Sequence, residues 1–181
     1  MALNTTIYKL KITLSDINRN HYDALNLTVA QHPSETLERM MARVLAFCLN
    51  AQESLVFTKG LSAPQEPDLW SRALNDQISL WIEVGEPSVE KTKKATRLSP
   101  VVKIYAFNSK ASVWWAQERA RFNELKASIF QFQWKEVQTL AALAKRTMGL
   151  SVTITGETAY ISAENGECEV SWAVLQGCRH D

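Results

Sequence analysis

The chain has 181 residues, of which 46% are hydrophobic and 22% charged, with a net charge of +1. That balance is ordinary for a globular protein and gives no global attraction to a polyanion. It contains no run of about 18 apolar residues that would span a bilayer, and residues 1–6 lack the basic flank and apolar core of a signal peptide. One domain over residues 1–181 is therefore expected, in the cytoplasm and with no membrane partner, since a chain of this length buries roughly 70% of its unfolded surface. Residues 6–14 alternate Tyr8, Leu10, Ile12 and Leu14 against Ile7, Lys9, Lys11 and Thr13, which predicts a half-buried strand. After a turn at Asn18-Arg19-Asn20, Leu25, Leu27 and Val29 predict its hairpin partner. Pro33-Ser34 opens a helix with Ser34 as N-cap, Glu35 in its first turn, and an apolar stripe of Leu37, Met40, Met41, Val44, Leu45 and Cys48 that packs one face on the sheet.

A loop over 60–67 leads to Asp68. Residues 77–85 then read as a strand with Ile78, Leu80, Ile82 and Val84 on one face and Ser79, Trp81, Glu83 and Gly85 on the other. Pro87-Ser88 caps a short basic helix to about Thr96. An apolar strand follows over 101–107, a helix with Trp114 and Trp115 over 111–123, a short strand over 127–132, and a helix over 133–146 ended by Gly149. The tail 151–175 holds three strands joined at Gly156-Glu157 and at Glu164-Asn165-Gly166. Strand and helix alternation flanked by hairpins indicates a mixed sheet in an α/β or α+β domain.

Cys48, Cys168 and Cys178 form no Cys-x-x-Cys pair and are odd in number, so free buried thiols are expected rather than disulfides. His21, His32 and His180 have no metal-ligand spacing. Local charge is uneven: Lys91, Lys93, Lys94, Arg97 and Lys103 crowd one segment, whereas Glu157, Glu164, Glu167 and Glu169 occupy a stretch without a single basic residue.

Asp68 and Glu83 are the residues with chemical promise. Magnesium is held by one or two carboxylates together with substrate phosphate and water, and a carboxylate within an apolar strand costs free energy unless it is paired or binds a cation. In an acid-x-lysine pattern the lysine shares the strand face of the acid and stabilises charge on phosphate, but the position two residues after Glu83 is Gly85. Lys91 and Lys94 lie on one face of the next helix, with stems long enough to reach back over Gly85, while Lys93 is expected to meet Glu90. Plainer readings stand beside these. Asp68 serves as a turn residue, Glu83 forms a salt bridge to the next helix, the basic run is a solvated face, and Trp114 and Trp115 are core residues rather than a surface for stacking bases. Glu38 borders the apolar stripe of the first helix, where it completes an acidic site or faces solvent.

The order of hairpin, helix with Glu38, Asp68, Ile82-Glu83-Val84-Gly85-Glu86-Pro87, Lys93-Lys94-Ala95 and Val102-Lys103-Ile104-Tyr105-Ala106-Phe107 resembles the YaeQ family of small bacterial proteins over essentially the whole chain. The resemblance implies a restriction-endonuclease-like variant of the PD-(D/E)XK nuclease fold, a central mixed sheet flanked by helices with β-hairpins at both termini and a divalent metal site, Mg²⁺ or Mn²⁺, on one edge. It makes Asp68 and Glu83 metal ligands, Glu38 the accessory helix carboxylate, and Lys94 the migrated catalytic lysine with Lys91 as its alternative. The function expected on this basis is divalent-metal-dependent nuclease or phosphodiesterase action on DNA or RNA, with Lys91, Lys93, Lys94 and Arg97 binding the nucleic acid. The alternative is a non-catalytic module of the same fold that binds nucleic acid or a protein of the transcription or translation machinery. A third reading puts function in the acidic C-terminal hairpin as a protein-contact surface.

Overall fold

The computed structural model describes residues 4–177. The chain is a mixed α/β protein whose described residues divide into two compact units: those through Leu49 with Gln133–Trp172, and Asn50–Phe132 with those from Ala173 to Gly177.

The first unit is built on the expected N-terminal hairpin, which runs further than the apolar alternation suggests. Strand β1 (Thr6–Asp16) pairs antiparallel with β2 (His21–Gln31), placing Tyr8 opposite Val29 and Leu10 opposite Leu27. The end of β1 is secured by Arg19, whose Nε donates to Asp16 Oδ2 at 2.6 Å. On its other edge β1 pairs in parallel with β8 (Thr147–Thr155), which continues antiparallel through β9 (Thr158–Ala163) to β10 (Gly166–Gln176). Leu10, Ile12 and Leu14 stand opposite Met148, Leu150 and Val152, and all six are buried. Each such side chain contributes about 1.5–3 kcal/mol by leaving water.

Two helix boundaries differ from expectation. Helix α1 (Leu37–Leu49) is capped by Thr36 rather than Ser34, Thr36 Oγ1 accepting from Arg39 N at 3.1 Å. Ser34 instead belongs to a turn in which Glu35 N donates to His32 O at 2.8 Å. Every residue from Met40 to Cys48 is buried, so α1 is enclosed rather than laid by one face on a sheet. Helix α4 (Trp134–Ala142), which packs on α1, stops short of the expected residue 146. Gly149 lies inside β8 instead of ending a helix, because Met148, Leu150 and Val152 complete an apolar row against β1.

In the second unit β5 (Ile78–Val84), β6 (Val102–Ala106) and β7 (Ser128–Phe132) run parallel, linked through α2 (Val89–Leu98) and α3 (Ala111–Phe122). These elements match the sequence expectation closely. Two short strands were not expected: β4 (Leu69–Arg72) extends the sheet antiparallel from β5, and β3 (Leu55–Phe57) follows antiparallel to β4. The loop between them carries a 3-10 turn at Gly60–Ser62. Gln176 Nε2 gathers the carbonyls of Phe122, Leu125 and Ala127 at 3.0–3.1 Å and so closes the α3–β7 connection.

Among the described residues no helix is long and apolar enough to cross a membrane. Cys48 is a buried free thiol whose pKa burial pushes up to about 12. Cys168 is only half-buried, in contrast to expectation, and burial followed by the Glu136 charge raises it to about 11. Cys178 and His180 lie outside the described residues.

The first unit contains a buried ionic cluster. Glu35 (6% exposed) receives Arg43 (3% exposed) through Nε at 2.9 Å and Nη2 at 2.6 Å, and Arg39 Nη1 at 2.5 Å. Replacing Glu35 by alanine leaves the Arg43 charge buried without its carboxylate. The expected loss is about 3–5 kcal/mol of unfolding free energy, measured by urea denaturation.

Candidate functional site

The two acids come together because β4 and β5 are neighbours. Leu69 stands opposite Ile82 and Trp70 opposite Trp81, and Asp68 lies one residue before the first of these pairs. The regular ladder ends there. Asp68 N donates to Ile82 O at 3.0 Å, while Asp68 Oδ2 accepts from Val84 N at 2.7 Å, so a side chain takes the place of a backbone acceptor. Both acids are buried, Asp68 at 4% and Glu83 at 5% exposure.

Glu83 shares its strand face with Trp81, as the period of two requires. Trp81 packs against Ala95 of α2, Val102 and Ala127, which places Glu83 in the layer that α2 covers rather than in a solvent-facing one. Its carboxylate has two partners. Trp81 Nε1 donates to Oε1 at 3.0 Å, and Lys91 Nζ straddles both oxygens, 3.2 Å from Oε1 and 3.3 Å from Oε2. Burial is the largest influence on the Glu83 proton, with the nearby Asp68 charge next; Lys91 and Trp81 oppose them, and the pKa stands at about 7.

The link between β5 and α2 explains the glycine two residues after Glu83. Gly85 has φ +121°, a backbone conformation that side-chain-bearing residues avoid, although the space around its Cα is open. Its N–H still pairs with Tyr105 O at 2.8 Å, after which the chain turns away. Glu86 then clasps Asn108, accepting from its backbone N at 3.1 Å and its Nδ2 at 2.7 Å. Trp114 Nε1 donates to Pro87 O at 3.3 Å, and Ser88 Oγ caps α2 by accepting from Lys91 N at 3.1 Å. Lys91 thus leaves the first turn of α2 directly above Glu83.

The remaining expected site residues are placed differently. Lys94, the preferred migrated lysine, is exposed, and it is Lys91 that reaches Glu83. Lys93 and Arg97 are exposed as well. The expected Lys93–Glu90 pair is replaced by Glu90 with Arg121, whose Nη2 lies 2.5 Å from Oε1 because α3 brings Arg121 alongside. Glu38 is half-buried in the first turn of α1, in the first unit. Among the described residues no three His, Cys, Asp or Glu side chains are grouped to hold a metal, so the second unit offers the Asp68–Glu83 pair rather than the expected trio. Trp114 and Trp115 pack on Phe122, at ring-centroid distances of 5.3 and 6.0 Å, instead of forming a bare stacking platform. In the first unit, Glu167 and Glu169 line a trough of about 510 Å³ with Ser151, Thr153, Tyr160 and Ser162.

Trp81 as a hydrogen-bond donor to Glu83 is not among the sequence expectations, nor are Glu86, Asn108 and Trp114 as anchors of the linking loop. For Trp81 the signal is present, since residues i and i+2 of a strand share a face. For the anchors there is none, because their partners lie 22 and 27 positions away.

Two outcomes follow from this geometry. Gly85→Lys forces a side chain onto φ +121° and is expected to cost about 1–3 kcal/mol, measured by chemical denaturation, with Gly85→Ala costing a similar amount. Glu83 has a folded pKa of about 7 against an ordinary value of 4.5, so the folded state binds the extra proton between those values and stability declines as pH rises through about 7. The wild type is expected to lose on the order of 2 kcal/mol between about pH 5 and about pH 8 relative to Glu83→Gln, read from paired urea titrations.

The YaeQ protein family matches residues 1–172 of this chain. The chain is 38% identical to the uncharacterized protein YaeQ of Escherichia coli (strain K12) over 178 residues, covering 97% of this chain and 98% of that protein, and equally identical to its Salmonella typhi counterpart with the same coverage. The crystal structure of YaeQ protein from Xanthomonas axonopodis pv. citri superposes with a TM-score of 0.93 at 31% identity, covering 96% of this chain and 99% of that one. The crystal structure of YaeQ protein from Pseudomonas syringae gives 0.92 at 33% identity, covering 97% and 98%. A family match over nearly the whole length, with the same backbone throughout, identifies this chain as a member of the YaeQ family.

Proposed function

We propose that this chain is a divalent-metal-dependent phosphodiesterase acting on nucleic acid, on a restriction-endonuclease-like variant of the PD-(D/E)XK scaffold. The observation that carries this reading is the buried pair of acids, Glu83 on β5 and Asp68 immediately before β4, with one lysine ammonium laid across Glu83. Two hard oxygen donors of this kind fit Mg²⁺ or Mn²⁺, which need few protein carboxylates when phosphate and water complete the shell. A metal ion bound there would supply a water of lowered pKa and polarise a phosphoryl oxygen.

The chain's own residues do the rest. Val84 N–H and Trp81 Nε1–H orient Asp68 and Glu83 before any ligand arrives. Lys91 neutralises charge that builds on phosphate, the role expected from the sequence of Lys94 first and of Lys91 as its alternative. The exposed Lys93, Lys94 and Arg97 on α2 hold the phosphate backbone. Those three cations enter no ion pair among the described residues, which also favours a second reading in which α2 binds nucleic acid, or an acidic protein of the transcription or translation machinery, without cleaving it.

Labelled single- and double-stranded DNA and RNA, incubated with the protein in Mg²⁺ or Mn²⁺, distinguish the two. Under the first reading a substrate is cut, chelation stops cleavage, and Asp68→Asn, Glu83→Gln and Lys91→Met each slow it by roughly a hundredfold or more with the fold intact. Binding without cleavage of any substrate, undiminished in Glu83→Gln and weakened at high salt, would establish the second. In that case neutralising Lys93, Lys94 and Arg97 lowers the slope of log affinity against log salt by about 0.7–0.9 for each phosphate that is no longer neutralised.

A further inference from the structure

Lys91 sits where a cation bound to Glu83 would sit. Its Nζ bridges both carboxylate oxygens at 3.2 and 3.3 Å, and Trp81 Nε1 takes a further lone pair of Oε1. The two partners of Glu83 are not equally fixed. Trp81 is locked in the core, whereas the Lys91 side chain is 35% exposed on a flexible stem in the first turn of α2. A divalent ion and an ammonium on the same buried carboxylate repel each other where water screens poorly, so only one of them stays beside it.

We propose that Lys91 is a resident counter-ion that a divalent metal displaces. On metal entry the ammonium leaves Glu83, while Trp81 keeps the carboxylate in place, and the released lysine becomes available to the phosphate of the substrate. This rests on the metal-site reading above and adds a coupling to it: the same lysine that serves phosphate lowers metal affinity in the free protein. Metal and substrate then bind with positive cooperativity, because each favours the position of Lys91 that the other needs.

The test is calorimetric titration of Mn²⁺ into the wild type, Lys91→Met and Lys91→Arg, without substrate. Removing the competitor in Lys91→Met is expected to tighten Mn²⁺ binding roughly three- to tenfold, the worth of a partly exposed ion pair. Lys91→Arg, which keeps a cation over Glu83, is expected to show no such gain, and adding Glu83→Gln to Lys91→Met abolishes it. Thermal melting with and without Mn²⁺ confirms that each variant folds and reports the same order of affinity as a shift in melting temperature. Wild type and Lys91→Met binding Mn²⁺ equally, or Lys91→Met binding it more weakly, overturns the exchange and leaves the metal site standing. No Mn²⁺ binding by either protein overturns both. Binding by Lys91→Met alone supports the exchange in its strongest form.

Discussion

A carboxylate buried to 5% exposure must be met by donors or by a cation, and the second unit is organised around how Glu83 is met. Strand β5 carries the acid, and the period of two delivers Trp81 to the same face. A tryptophan there donates one hydrogen bond while its ring fills the layer beneath α2, against Ala95, Val102 and Ala127. The second partner, Lys91, comes from outside the strand, and its position depends on how abruptly α2 begins. Three features set that beginning: the turn at Gly85, the Glu86–Asn108 clasp and the Trp114–Pro87 hydrogen bond. The environment of one acid thus reaches through the loop into the start of α3.

The two acids are held by different means. Asp68 is tied to the backbone of the strand that carries Glu83 at two points, its N donating to Ile82 O and its Oδ2 accepting from Val84 N. Glu83 is tied through side chains, one enclosed in the core and one partly exposed. Such an arrangement has a cost. Burial and the Asp68 charge together outweigh Lys91 and Trp81, leaving Glu83 with a pKa of about 7 rather than in the usual carboxylate range.

Most of the second unit is legible in the sequence because its long elements carry strong periodic signals. The parity that separates Ile82 and Val84 from Trp81 and Glu83 needs only a seven-residue strand, and the Ser88 cap needs only one hydroxyl before an amphipathic helix. Strands β3 and β4 are not legible, since three and four residues give no alternation to detect and their pairing is decided by β5. Gly149 departs from expectation for a related reason. Good helix formers precede it, but the row of Met148, Leu150 and Val152 gains more from facing β1 than those residues gain from another helical turn. The ends of α1 and the burial of its whole circumference depend on packing that a stripe at spacings of three and four does not report. Of the candidate site, the face that Glu83 shares with Trp81 is legible, and which of Lys91 and Lys94 meets Glu83 is not.

That choice of lysine has a geometric basis. Lys91 and Lys94 are three residues apart and share a helix face, but a helix rises about 1.5 Å per residue, so Lys94 starts roughly 4.5 Å further along the axis. With Ser88 as N-cap, Lys91 is the third residue of the helix, and its own N–H is bound to the cap. The lysine nearest the end of β5 is therefore the one in the first turn. An acid-x-lysine pattern presupposes a strand that runs straight through the lysine position, whereas here β5 ends at Val84 and Gly85 turns the chain at φ +121°. Once the strand ends before that position, a side chain there would no longer share the face of Glu83. The ammonium beside Glu83 comes instead from the next element that covers this face, which is α2 at its first turn.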